Sequence, residues 1–221
     1  GSGSNFFANP GYVAVIDLTD PTKRAKKIPM QRGAEGIVVV GNRAFVGGVG
    51  GENLIQIIDT DSDTPTEPIR LEGAAGQLAL DANNKIWAFV GRKAVRINPD
   101  TRAVEANIPV GIDTRKTPGN LTPGLDRRTF YFTYTFYDPA DNYREKGELY
   151  RFSITDTAIP ASQPIARRVF SGLGVDPGSN LLYAGFTPSF RQSGYVFRMQ
   201  PDGRIVDSVQ VEIAPSHFWF K

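Results

Sequence analysis

The chain contains no cysteine, one histidine and only two methionines. Lacking cysteine, it has no disulfides, no thiolate metal sites and no cysteine nucleophile. With His217 as the lone imidazole, no site can use two. An excess of one charge is also missing: 25 Lys and Arg stand against 23 Asp and Glu, a net charge of +2. Dedicated binders of nucleic acid or membrane surfaces show a strong basic excess, so neither partner is expected. No apolar run approaches the ~18 residues of a membrane span. Helical patterning is lacking too. No segment holds an apolar helical period over three turns with caps at both ends, and the charged residues 23–27 are bracketed closely by Pro21 and Pro29.

What is present points to strands. Apolar residues make up 40 % of 221, enough for a sizeable core. The 23 glycines, 16 prolines, 14 phenylalanines and 8 tyrosines fall into short β-rich runs separated by turns. One kind of strand recurs: Gly11-Tyr-Val-Ala-Val-Ile-Asp17, Asn53-Leu-Ile-Gln-Ile-Ile-Asp59, Lys93-Ala-Val-Arg-Ile-Asn98, Gly147-Glu-Leu-Tyr-Arg-Phe-Ser153 and Gly194-Tyr-Val-Phe-Arg-Met-Gln200. The end positions 17, 59, 98, 153 and 200 are spaced by 42, 39, 55 and 47 residues. That is the ~40–50-residue period of a propeller blade.

Each repeat has the same inner order. A short apolar strand (residues 37–40, 78–81, 121–126, 173–176) precedes a tight turn and a bulky strand (44–46, 86–89, 130–133, 182–184). The recurring strand is third. A more polar strand closes the unit (24–28, 68–71, 104–108, 166–170, 205–211). The expected fold is therefore all-β, a β-propeller of four-stranded antiparallel blades spanning residues 1–221 as a single domain. The N-terminus offers at most a bulky strand near residues 5–8. Residues 217–221 read as the first strand missing from that blade. Their pairing closes five blades into a ring, unless the chain is part of a larger one. Gly1-Ser2-Gly3-Ser4 reads as a tag or a loop remnant and carries no functional weight.

The pattern resembles the YncE-like, YVTN-type β-propellers, through Val15-Ile16-Asp17, Ile57-Ile58-Asp59 and Val110-Gly111. Residues 174–184, 193–197, 201–206 and 213–220 are similar to the C-terminal blade of exported surface-lipoprotein propellers, some of which capture cobalamin for an outer-membrane transporter. The resemblance implies an exported protein, at the cell surface or in the periplasm, that binds a small molecule or an envelope protein.

Propeller ligands bind where long loops crowd one face. The long loops here are residues 47–51, 134–146 and 186–192, with the blade links 31–33 and 111–119. The insertion Tyr134-Thr-Phe-Tyr-Asp-Pro-Ala-Asp-Asn-Tyr-Arg144 explains the longest repeat step. Aromatic rings stack on planar ligands, Arg pairs with carboxylate or phosphate, and both residue types dominate protein-binding hot spots. The expected ligand-binding set is Arg32, Arg115, Lys116, Tyr137, Tyr143, Arg144, Phe186, Phe190, Arg191 and His217. The competing expectation is that the insertion's aromatics pack onto a neighbouring blade.

No catalytic or metal set is assigned, and no cofactor is expected. Asp59-Thr-Asp-Ser-Asp63 alternates carboxylates as calcium loops do, but Thr64 stands where the loop needs glycine. Asp81, Asp126 and Asp176 fall beside tight turns, leaving Glu35 without the second carboxylate of a glycosidase pair. A lone His217 is more often a hydrogen-bonded core residue than a catalyst. A binding propeller therefore leads, ahead of a propeller hydrolase or lyase and of a scaffold in an envelope complex.

Overall fold

A strand turns successive side chains to opposite faces, so a sheet with one core face alternates, and one buried on both faces reads as a continuous apolar run. The computed structural model describes residues 9–20, 22–189 and 191–220. Among these, seventeen strands form five sheets, and the chain gathers into two compact units. The first unit runs to Leu80 and resumes over Asn84–Asn107; the second takes Asp81–Asn83 and the chain from Ile108. No helix among the described residues is long and apolar enough to cross a membrane.

The first unit opens with β1 (Gly11–Val15) paired to β2 (Lys26–Met30). Next come β3 (Ala34–Val40), β4 (Arg43–Gly48), β5 (Leu54–Asp59) and β6 (Thr64–Arg70), hydrogen-bonded in chain order. The third sheet repeats that order with β7 (Leu78–Leu80), β8 (Ile86–Val90), β9 (Lys93–Ile97) and β10 (Val104–Pro109). The second strand of each four-stranded sheet is the bulky one and is buried on both faces. Phe45, Ile86 and Trp87 have no exposed surface. Ile55, Ile57, Ile69, Val95 and Ile97 complete the core around Phe45 and Ile86.

In the second unit, β11 (Thr117–Pro123), β12 (Thr129–Asp138) and β13 (Arg144–Ser153) make one sheet. The other has β14 (Gly172–Val175), β15 (Leu182–Phe186), β16 (Gly194–Met199) and β17 (Ile205–Val211) in chain order. Its core is aromatic. Phe130 stacks on Phe152 and Phe132 on Tyr150 across β12 and β13, each with ring centroids 5.5 Å apart, and Tyr134 meets Phe132 and Tyr150 edge-on. The two stacked pairs are directly opposed in the register, the arrangement in which cross-strand pairs stabilise a sheet. Successive meandering antiparallel sheets of this kind define the β-propeller class the repeats anticipate.

Three expectations are corrected. The fourth strand at residues 166–170 shrinks to one bridge, Ala166 to Leu149. Pro160 and Pro164 supply no donors ahead of it, and Arg168 and Val169 rise over Gly147, where a Cβ would stand 2.4 Å from the Arg168 carbonyl oxygen. The segment read as a loop, residues 134–146, is mostly strand, as described below. Residues 217–220 are not a closing strand: the sheet of β1 and β2 has two strands among the described residues, and residues 214–220 form none. They lie instead on the face of the last sheet, where glycine leaves room. A Cβ at Gly172 would stand 1.8 Å from the Ser216 carbonyl oxygen, and one at Gly185 2.0 Å from that of Pro215. Ser171 Oγ donates to the Pro215 carbonyl at 2.6 Å, and the rings of Phe218 and Phe220 lie 6.0 and 5.2 Å from Tyr183. Aromatic contact on a face stripped of side chains thus holds this segment, rather than a ladder. Residues 5–8 and Lys221 lie outside the described residues.

The aromatic ladder carries a direct expectation. Phe132→Ala removes a fully buried ring with three ring neighbours. It lowers unfolding stability by about 3–5 kcal/mol in urea titration, whereas a loss below about 1 kcal/mol contradicts the cross-strand packing described.

Candidate functional site

The insertion is a two-stranded arm. β12 and β13 stay in register from Thr129–Ser153 to Asp138–Arg144 without a bulge. The alternation Phe130, Phe132, Tyr134, Phe136 continues into the arm, and opposite it stand Phe152, Tyr150, Glu148 and Lys146. At the tip, Pro139–Asp141 make one 3-10 turn, with Asp138 Oδ1 accepting from the Ala140 amide at 3.0 Å. Asn142 and Tyr143 then adopt left-handed backbone, φ 51° and 55°. Asparagine tolerates that region; a tyrosine there costs about 1 kcal/mol or more.

The arm is anchored at its base by groups that sequence reading left out. Lys116 Nζ bonds Glu148 Oε2 and lies 4.8 Å from the centre of the Phe136 ring. The same oxygen accepts from Tyr150 Oη at 2.7 Å. Burial, then the Glu148 bond, pushes the Tyr150 phenol well above its ordinary value, so it stays a donor. Tyr134 Oη donates to the Val110 carbonyl, beside Gly111, where a Cβ would meet that hydroxyl at 2.8 Å. Lys116 and Glu148 keep only 15 % and 13 % of their side-chain surface. Breaking such a pair strands a charge in a partly dry setting, so Lys116 fastens the link of residues 111–119 to the arm.

The tip is open. Tyr137 and Tyr143 are 63 % and 69 % exposed. Asp141 is held by Lys146, whose bond draws its carboxyl below the usual range. Arg144, 74 % exposed, stands 3.8 Å from the same carboxylate and is only loosely tied. Arg115 is engaged locally: its Nε and Nη2 bond Asp113 at 3.0 and 2.8 Å. That bond, with the Arg115 amide, holds the Asp113 carboxyl down at about 2.

Elsewhere in this unit, Phe186 is half-buried. The Arg168 guanidinium lies 4.9 Å from its ring and 4.5 Å from that of Phe197. Arg191 is exposed, and Phe190 lies outside the described residues. His217 is exposed, with Nδ1 2.9 Å from Ser216 Oγ, so the core reading of that histidine is corrected: the segment that carries it lies on a sheet face with its imidazole outward. In the first unit, Arg32 binds Glu52 through its amide at 2.6 Å and its Nε at 3.1 Å, closing the glycine-rich loop between β4 and β5. The structure thus brings Lys116, Arg115, Tyr137, Tyr143 and Arg144 to one arm and its base.

The other acids have turn roles. Asp59 Oδ1 accepts from the Ser62 amide at 2.9 Å, while Asp63 faces Lys26 and Asp61 faces Asn42. Their carboxylates diverge. Asp126 caps the Arg128 and Thr129 amides at 2.9 Å each, and Asp176 accepts from Gly178 at 3.0 Å. Each unit has a cavity of about 180 Å3. One is floored by Leu71, Val90, Val95 and Val104 under the Lys93–Glu72 pair. The other lies between Phe132, Tyr150, Phe152, Asp156 and Ile159. Both are smaller than the ~300–1,000 Å3 of usual ligand pockets, and neither is lined by a residue of the expected set.

The molecule is an all-β protein of the β-propeller class. Among solved structures it is similar to Kuenenia stuttgartiensis hydrazine synthase, a β-propeller protein. The TM-score is 0.55 at 10 % identity over 93 % of this chain and 82 % of that one. At that identity the likeness speaks for the fold alone. No family model and no curated protein matches the chain.

Asp113 offers a check on the arm's surroundings. Its carboxyl lies below the ordinary 3.8 because Arg115 favours the ionised form. The pair therefore supports the link above about pH 4 and fades as pH falls toward about 2. In a carboxyl NMR titration Asp113 has its midpoint near 2, and Arg115→Ala moves it back toward 3.8; an unmoved midpoint contradicts the pairing.

Proposed function

We propose that this protein is a non-catalytic binding propeller whose β12–β13 arm presents Tyr137, Tyr143 and Arg144 to a ligand or protein partner. One observation carries the reading: Tyr137 and Tyr143 are 63 % and 69 % exposed at the tip of the β12–β13 hairpin. An aromatic kept in left-handed backbone, where glycine costs least, supports a purpose outside the fold. Rings held on a firm hairpin lose little entropy on binding, and a loosely tied Arg144 adds a partner for a carboxylate or phosphate. Lys116 serves the same surface by fixing the arm's base, and Arg115 stands next to it in the link. Arg32, Phe186, Phe190, Arg191 and His217 stay in the proposed set as secondary contacts.

The finer reading rests on resemblance to YncE-like, YVTN-type propellers and their exported lipoprotein relatives. In it the protein works at the cell surface or in the periplasm and hands a nutrient such as a corrinoid to an outer-membrane transporter. In that reading the corrinoid sits on the open arm.

The test replaces Tyr137 with Ala, Tyr143 with Gly and Arg144 with Ala together. Exposed substitutions change stability by about 0.5 kcal/mol or less each, and glycine relieves the backbone at 143. The melting temperature stays close to that of the native chain, while cyanocobalamin binding by calorimetry, or retention of partners from an envelope extract, is lost. Native binding with a large fall in melting temperature overturns the proposal in favour of packing.

A further inference from the structure

A hairpin with a two-residue turn leaves its surroundings uncovered, and the third sheet has one. β8 ends at Val90 and β9 begins at Lys93, so Gly91 and Arg92 alone make the turn. The matching connections in the other sheets run over residues 49–53, 139–143 and 187–193. Beside the short turn, within the first unit, a cavity of about 180 Å3 opens to solvent. Its floor is core. Val90 and Lys93 are directly opposed in the register and Val95 follows two residues on, so their side chains share one face of the sheet. Val90 and Val95 are only 7 and 3 % exposed, and Leu71 packs on the same core cluster. Val104 of β10 adds a further apolar wall.

The rim is polar and uneven in charge. Lys93 Nζ donates to Glu72 at 2.8 Å, a bond that draws the Glu72 carboxyl below its usual range, so this pair is already closed. Arg70, at the end of β6, lines the same cavity and meets no carboxylate among the described residues. The side-chain amide of Asn107, also on the rim, has no protein partner among them either.

We propose that this cavity is a binding site for a small monocarboxylate with one ring or one branched hydrocarbon tail, of which benzoate is the simplest probe. Size fixes the tail. An apolar cavity of about 150 Å3 takes benzene, and this one is slightly larger. Charge fixes the head. The rim carries two cations and one anion, so a single carboxylate brings it to neutrality, and the guanidinium fork of Arg70 matches that group. The head bonds Arg70, with the Asn107 amide as a second donor, while the tail covers Leu71, Val95 and Val104. A neutral analogue gains the floor without the guanidinium. A free amino acid brings an ammonium whose acceptor on the rim, Glu72, is already held by Lys93. The site belongs to the first unit and does not rest on the reading of the arm.

Methyl NMR of the native chain titrated with benzoate tests this. The methyls of Val90, Val95 and Val104 shift along one saturable curve. Arg70→Gln raises the dissociation constant about tenfold, the worth of one charge-assisted pair. Its melting temperature stays native, because Arg70 is exposed. Val104→Asp, at a half-exposed position, sets a carboxylate beside the head and weakens binding as well. Arg92→Gln, in the turn outside the lining, leaves the constant within about twofold and excludes non-specific attraction. Benzyl alcohol and leucine each bind about tenfold more weakly than benzoate. The proposal is overturned if benzoate shifts none of the three valines, if benzyl alcohol or leucine binds as tightly, or if Arg70→Gln leaves the constant unchanged.

Discussion

Burial of the middle strands β4, β8 and β12 on both faces is the constraint from which the rest follows. A middle strand with two dry faces must be apolar at every position, and β4, β8 and β12 are so over Ala44–Val46, Ile86–Ala88 and Phe130–Phe132. Once those strands are fixed, their neighbours alternate, and the outermost strands are left half-wet and polar. The hydrogen-bonded order of the sheets, each in chain sequence, is the cheapest way to meet this need, because hairpins close with short loops. Turn acids such as Asp59, Asp126 and Asp176 spend their carboxylates on nearby amides, which removes them from chemistry and sharpens the turns.

The arm shows how the same constraint yields a surface. The core ladder ends at the half-buried Phe136, and the exposed Tyr137 follows it on the opposite face of the strand, with no change of register between. The exposed surface belongs to the strands that run past the core. The Lys116–Glu148–Tyr150 group keeps that extension from swinging, since a nearly enclosed ion pair with a third donor tolerates little displacement.

Much of the fold was legible in the chain. The period of the repeats, the bulky second strands and the acid-capped turns are local patterns, and they appear where expected. The arm was misread because Pro139 and two Asp residues look like a loop, although every second residue from Phe130 to Phe136 is aromatic and signals a continuing strand. Glu148 was missed for a different reason. Its partners Lys116 and Tyr150 stand 32 and 2 residues away, and nothing in one strand announces an ion pair with a distant link. The cover over the Phe186 ring was not legible in its own loop. The guanidinium that covers it comes from Arg168, in a segment whose strand character had dissolved into a single bridge.

By itself the sequence determined the all-β class, the repeat and the identity of the buried strands, because hydrophobic periodicity acts over a few residues and needs no partner to be read. Tertiary structure alone decided that residues 214–220 lie across a glycine-lined face instead of closing a ladder, that Lys116 is an anchor and Arg144 is nearly free, and that His217 points outward. Those outcomes depend on which distant groups meet, and on whether a glycine leaves space for a crossing chain, which no local pattern records.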